Sequence, residues 1–180
     1  MKKYICLSLL LVSCSCEEDY VLFGVSYGGD CDLTKMPTLV LDPDWTIEEA
    51  NSIRKAANQW ETKVNIDLGD LEYNSTDCGV PGSDSEVSGC IVKAYDYKNI
   101  CWILSDNTSV ECVYTPKSMI LIFTKYVRDY QLYETVAHEI GHWIGLGHKS
   151  ESGYLMSSGQ YDYASYVTDN DVKFYNESCL

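Results

Sequence analysis

Basic residues are scarce in this chain: 13 Lys+Arg stand against 27 Asp+Glu, a formal charge of −14 over 180 residues. So acidic a surface repels phosphates, which excludes a basic nucleic-acid interface. Proline is sparse at 4 and glycine moderate at 12, and with 46% hydrophobic and 22% charged residues the composition is neither collagen-like nor that of a disordered chain. Beyond the N-terminus no apolar run approaches the ~18 residues that a membrane span requires. Histidine occurs only 3 times, and every one lies between positions 138 and 148.

Cysteine breaks this economy. Nine residues of it exceed what a reduced cytosolic protein of this length carries, which points to an oxidising compartment or a metal site. The N-terminus favours the former: Met1-Lys2-Lys3 precedes a short apolar run from Tyr4 to Val12, the pattern of a secretory signal over residues 1–13. Leu11-Val12-Ser13-Cys14 resembles the bacterial lipobox, which makes Cys14 the candidate lipidated residue. The expectation is a secreted or cell-surface (outer-membrane) lipoprotein, touching membrane only through that N-terminal anchor. Signal removal takes Lys2 and Lys3 away and leaves 11 basic and 27 acidic residues, a charge of −16.

The cysteines then left besides Cys14 are Cys16, Cys31, Cys78, Cys90, Cys101, Cys112 and Cys179. Any six of them allow about 15 connectivities. Short loops suggest Cys78 with Cys90 and Cys101 with Cys112, which leaves Cys31 for Cys179. The rival reading, a structural zinc held by cysteines, lacks a C-x-x-C pair in the mature domain.

Residues 14–36 are acidic and glycine-containing and read as a leader, and residues 37–180 read as one domain. A strand is expected over 38–41. Thr46 and Glu49 form a capping box ahead of a helix in which Ile47, Ala50, Ile53, Ala57, Trp60 and Val64 share one face. Alternation predicts a strand over 64–68, and the turn-rich stretch 79–89 a loop. Short strands are expected at 90–95, 101–104, 111–114 and 119–123, with a hairpin turn at 105–108.

The chemistry is concentrated in Thr135-Val136-Ala137-His138-Glu139-Ile140-Gly141-His142-Trp143-Ile144-Gly145-Leu146-Gly147-His148. On a helix, His138 and His142 share a face and can offer two imidazole nitrogens to one ion. Gly145 can take a left-handed conformation, end the helix and let His148 approach the ion from another side. Three nitrogen ligands leave the fourth position of a tetrahedral zinc open, the mark of a catalytic site. Glu139, offset by one residue, is placed to act as general base on a zinc-activated water, a combination suited to amide hydrolysis. Five fixed positions arise by chance in such a chain on the order of once in 10⁵.

This segment resembles the metzincin metallopeptidases, whose H-E-x-x-H-x-x-G-x-x-H pattern is matched at His138, Glu139, His142, Gly145 and His148. The resemblance implies an α+β zincin fold: a twisted mixed β-sheet, a backing helix, an active-site helix over about 129–145, and a small C-terminal subdomain ending in a helix. It also implies a methionine turn, for which Tyr154-Leu155-Met156 is the candidate, at a spacing similar to that of matrixins. The strand at 119–123 or a neighbour would pair with an extended substrate. Thr168, with Asp169 and Asp171 behind it, is similar to the start of the last matrixin helix.

The residue after the third histidine is Lys149, where matrixins usually have Ser, astacins Glu and adamalysins Asp. Tyr161 and Tyr163 are remote candidates for oxyanion contact, with surface or packing roles the plainer reading. Matrixin-like enzymes are often kept latent by an upstream Cys or Asp, and Asp30-Cys31-Asp32 is the leader segment with suitable ligands. The alternative puts Cys31 in a disulfide. A calcium site at Asp84 and Glu86 competes with a plain solvated acidic loop.

These features predict a monomeric zinc endopeptidase acting on protein or peptide substrates. The alternatives are a narrow-specificity effector and a catalytically silent, zinc-containing surface binding module.

Overall fold

The computed structural model describes residues 31, 38–73, 78, 89–94, 119–124, 127, 131–157 and 164–180. The signal segment, Cys14, Cys16, Asp30, Asp32, Asp84, Glu86, Cys101, Cys112, Tyr161 and Tyr163 lie outside them, as do the expected strands at 101–104 and 111–114.

Helix α1 (Ile47–Val64) starts where its sequence dictates. Thr46 Oγ1 accepts from the Glu49 amide at 3.3 Å, and Glu49 Oε2 accepts from the Thr46 amide at 2.8 Å, satisfying two donors that the first turn would leave orphaned. Ala50, Ile53, Ala56, Ala57 and Trp60 are buried along one face. Ile47, expected on that face, is 70% exposed, because the first helical residue lies beyond the end of the surface that the later turns cover. The helix stops at Asn65, whose φ of 55° is left-handed.

Three strands, β1 (Val40–Leu41), β2 (Cys90–Ala94) and β3 (Met119–Phe123), pair in the order β1-β2-β3. Both pairings are parallel, with Leu41 opposite Ile91 and Ile91 opposite Ile120. Parallel neighbours need a crossover between them, which α1 supplies for β1 and β2. Among the described residues no antiparallel strand pair of the expected mixed sheet is seen.

The strand expected over 64–68 does not form. The chain instead runs beside β1 with single contacts: Leu39 N donates to Leu68 O at 2.7 Å, Leu41 N donates to Glu72 O at 2.9 Å, and Leu41 bridges Tyr73. Left-handed or positive φ values at Asn65, Gly69 and Leu71 break the extended backbone that a continuous ladder requires.

Helix α2 (Leu132–Trp143) lies along α1, and helix α3 (Asp169–Cys179) closes the chain. The core joins Leu39, Leu41, Ile91, Ile120 and Ile122 of the sheet region to Trp60 and to Val136, Ile140 and Ile144. Disulfides link Cys31 to Cys179 and Cys78 to Cys90, as the loop argument proposed. The third expected bridge, Cys101 with Cys112, lies outside the described residues. No helix among the described residues is long and apolar enough to cross a membrane.

Candidate metal centre

Helix α2 sets His138 and His142 one turn apart, and its C-terminus decides where His148 goes. Leu146 N donates to Gly141 O at 2.9 Å and Gly145 N donates to His142 O at 3.0 Å. This 6→1 and 5→2 pair is a Schellman motif, and it needs a left-handed residue at Gly145, where φ is +99°. The predicted stop therefore occurs at the predicted glycine. Beyond it the chain doubles back, and His148 faces the two helical histidines.

The three Nε2 atoms converge: His148 Nε2 lies 3.0 Å from that of His138 and 3.1 Å from that of His142. The opposite nitrogens are fixed by main-chain carbonyls, His138 Nδ1 against Leu155 O at 2.8 Å and His142 Nδ1 against Leu146 O at 2.7 Å. A carbonyl can only accept, so Nδ1 carries the proton in both rings and the Nε2 lone pair points inward. Leu146 is itself part of the Schellman turn, so the motif that ends the helix also sets the tautomer of His142.

Burial, then the charge of His138 and of His148, hold His142 well below the ordinary imidazole pKa, against a smaller opposing effect of the Leu146 carbonyl. Burial and then His138 push His148 down to about 4. Both rings are thus neutral near pH 7, the state in which imidazole binds metals. Converging lone pairs repel unless a cation sits between them. Zinc bonds of about 2.0–2.1 Å in a tetrahedron would set neighbouring donors about 3.3 Å apart, so the three nitrogens fit such an ion with a shift of a few tenths of an ångström. His138, His142 and His148 form the one such cluster found among the described residues.

Glu139, beside His138 on α2, is 3% exposed. Met156 is fully buried beneath the helix. A Cβ built on Gly141 would overlap Met156 Sδ and come within 3.0 Å of Met156 Cε and of Trp60 Cζ2. Glycine at this point lets methionine and tryptophan close against the backbone between the two helical histidines. Trp60 is anchored as well as packed, because its Nε1 donates to Ala137 O at 2.7 Å.

Sequence reasoning did not find what holds the methionine turn. Asp171, fully buried on α3, accepts from Leu155 N at 3.0 Å, Met156 N at 3.1 Å, Thr168 N at 2.8 Å and the Thr168 hydroxyl at 2.5 Å. The N-cap at Thr168 and the acids behind it were legible, but the reach of Asp171 to amides 15 and 16 residues upstream was not. Of the leader segment, Cys31 is bonded to Cys179, so its sulfur is taken up at the end of α3 and is not offered to the histidines.

Comparison with known proteins agrees with this geometry. The model of the matrixin family matches residues 40–177. Over 51 residues the chain is 43% identical to interstitial collagenase of Sus scrofa and 41% identical to that of Oryctolagus cuniculus, stretches covering 28% of this chain and 10% of each relative. Interstitial collagenase of Aquarana catesbeiana is 50% identical over 34 residues, 19% of this chain and 9% of the relative. The matched stretches thus span about a tenth of the length of these relatives. With a match from β1 to within a few residues of the C-terminus, an α+β fold, and three histidines brought to one point by a helix and a glycine turn, the chain belongs to the matrixin family.

Proposed function

We propose that this protein is a zinc-dependent endopeptidase hydrolysing peptide bonds of extracellular or surface proteins. The observation that carries the proposal is the convergence of three Nε2 atoms, with the His138 and His142 rings oriented by the Leu155 and Leu146 carbonyls. His138, His142 and His148 would hold the ion. A zinc ion there supplies Lewis acidity, which polarises a carbonyl and acidifies water.

The chain's own residues do the rest. Glu139 is the general base: its carboxylate accepts a proton from the attacking water and delivers it to the nitrogen of the departing amine. Burial excludes bulk water around this carboxylate and strengthens its electrostatic interactions. Met156 and Gly145 support the site, one as an apolar floor and the other as the turn that returns His148. The interstitial collagenases named above support a peptidase reading for the stretches of 51, 51 and 34 residues over which they match this chain.

The protein reaches its substrates as a monomer, secreted or anchored at the cell surface through a lipid on Cys14. The family resemblance and the oxidised cysteine pairs support an extracytoplasmic location.

Cleavage of an unstructured protein such as casein by the purified, oxidised chain tests the reading, with and without a zinc chelator and beside Glu139→Gln. Cleavage abolished by the chelator and reduced at least about 10²-fold in Glu139→Gln is expected. Cleavage that survives in Glu139→Gln refutes the assignment of the base. Stoichiometric zinc binding with no cleavage of any peptide library favours the silent binding module.

A further inference from the structure

His148 is the one ligand not carried by α2, so its position depends on the segment that follows it. That segment closes on itself: Lys149 N donates to Met156 O at 2.7 Å, and Lys149 bridges Ser157. Both arms of the resulting loop rest on α3. One arm is held through Asp171, which binds the Leu155 and Met156 amides. The other is held through Lys149, whose Nζ lies 4.0 Å from the ring centroid of Phe174 and 6.0 Å from that of Tyr154. Asp171 and Phe174 are three residues apart and therefore share a face of α3.

The choice of partner is informative. In a chain with 27 acidic residues, Lys149 has no carboxylate within ion-pair distance among the described residues and sits instead over aromatic faces. An ammonium within about 6 Å of a ring centroid is attracted by the ring quadrupole, most strongly when partly desolvated, and Lys149 and Phe174 are both half-buried.

We propose that Lys149 is a positioning residue for the metal centre. Its cation–π contact with Phe174 ties the backbone just after His148 to α3, as Asp171 ties the backbone that presents Leu155 O to His138. The two contacts together make α3 the frame for the part of the centre that α2 does not supply. The inference rests on the zinc reading above.

The test is zinc affinity of the full, oxidised chain, measured by competition with a chelating dye, together with the visible spectrum of the cobalt-loaded protein. Lys149→Met and Phe174→Leu are each expected to raise the zinc Kd about tenfold and to change the cobalt bands, which report ligand geometry. The double variant should lose no more than about twofold beyond either single one, because both remove one contact. Lys149→Arg and Phe174→Tyr, which keep a cation over a ring, should restore affinity to within about threefold of the parent.

A Lys149→Met protein that binds zinc as tightly as the parent, or tighter through relief of charge repulsion, overturns the proposal. So do additive losses in the double variant. If either single variant fails to fold, the other, with its conservative counterpart, decides the question alone. A parent that does not bind zinc overturns the metal reading and the positioning role with it. A parent that binds tightly beside variants that match it overturns the positioning role only.

Discussion

Gly141→Ala sets two effects of opposite sign against each other. Alanine in a helix interior is favoured over glycine by about 1 kcal/mol, so on propensity alone the variant is the more stable protein. The new Cβ, however, overlaps Met156 Sδ and lies 3.0 Å from Met156 Cε and Trp60 Cζ2. Met156 and Trp60 are fully buried, and the Trp60 ring is pinned by its bond to Ala137 O. The methionine therefore has to move within a closed space, and such overpacking costs about 1–3 kcal/mol. The steric effect wins, with a net loss of about 1 kcal/mol in urea unfolding of the oxidised protein. Displacing Met156 also shifts Leu155, whose carbonyl orients His138, so zinc affinity falls about tenfold. Adding Met156→Ala removes the overlap and should show a favourable coupling of about 1 kcal/mol or more in a double-mutant cycle. A Gly141→Ala protein more stable than its parent would refute the reasoning, because the propensity gain would then have met no resistance.

Replacing Asp171 by Ala leaves the buried Leu155 and Met156 amides without their acceptor and should cost about 3–5 kcal/mol, read as a lower urea midpoint; a cost under about 1 kcal/mol contradicts the arrangement. At Glu49, burial raises the carboxyl pKa, but the Lys93 ammonium at 2.7 Å and the Thr46 amide and hydroxyl outweigh it, so the folded value lies below 4.5. A depressed carboxylate contributes stability that is fully present above its unfolded pKa and lost as pH falls through the folded one. The stability advantage of the parent over Glu49→Gln should accordingly be present at pH 7 and shrink as the pH falls below the ordinary carboxylate range, and a pH-independent difference would contradict this. The Cys31–Cys179 bridge closes a loop of 148 residues, for which chain entropy gives up to about 5 kcal/mol. Replacing both cysteines by Ser should lower the unfolding free energy by about 2–5 kcal/mol, and an unchanged midpoint would show that the unfolded chain is not constrained by it.

What the sequence discloses here is what is local. His138, His142, Gly145 and His148 lie within one helix and its exit turn, so 3.6-residue periodicity and one left-handed glycine fix their meeting point without knowledge of the rest. The capping boxes at Thr46 and Thr168 are likewise three-residue affairs. The expected strand after α1 failed because alternation in Val64, Ile66 and Leu68 says nothing about φ, and Asn65 between them adopts a left-handed φ of 55° that no ladder accepts. Trp60 was legible as core from its spacing, but the same spacing cannot reveal that its N–H would find Ala137 O. Asp171 reads in the sequence as a first-turn acid of the last helix; its burial depends on a loop whose path is set by tertiary packing. Lys149 was visible as a departure from related sequences, and only the position of Phe174 gives that departure a partner.

The Cys31–Cys179 bond encloses nearly the whole folded chain in one covalent ring. A nick at any exposed loop between these positions therefore yields a molecule heavier only by the one water added, whose two pieces stay joined. A protein exposed to peptidases would in this way keep its helices and histidines together after a cut that would scatter an open chain. Such damage would pass unseen on a non-reducing gel and separate into fragments only once a thiol is added.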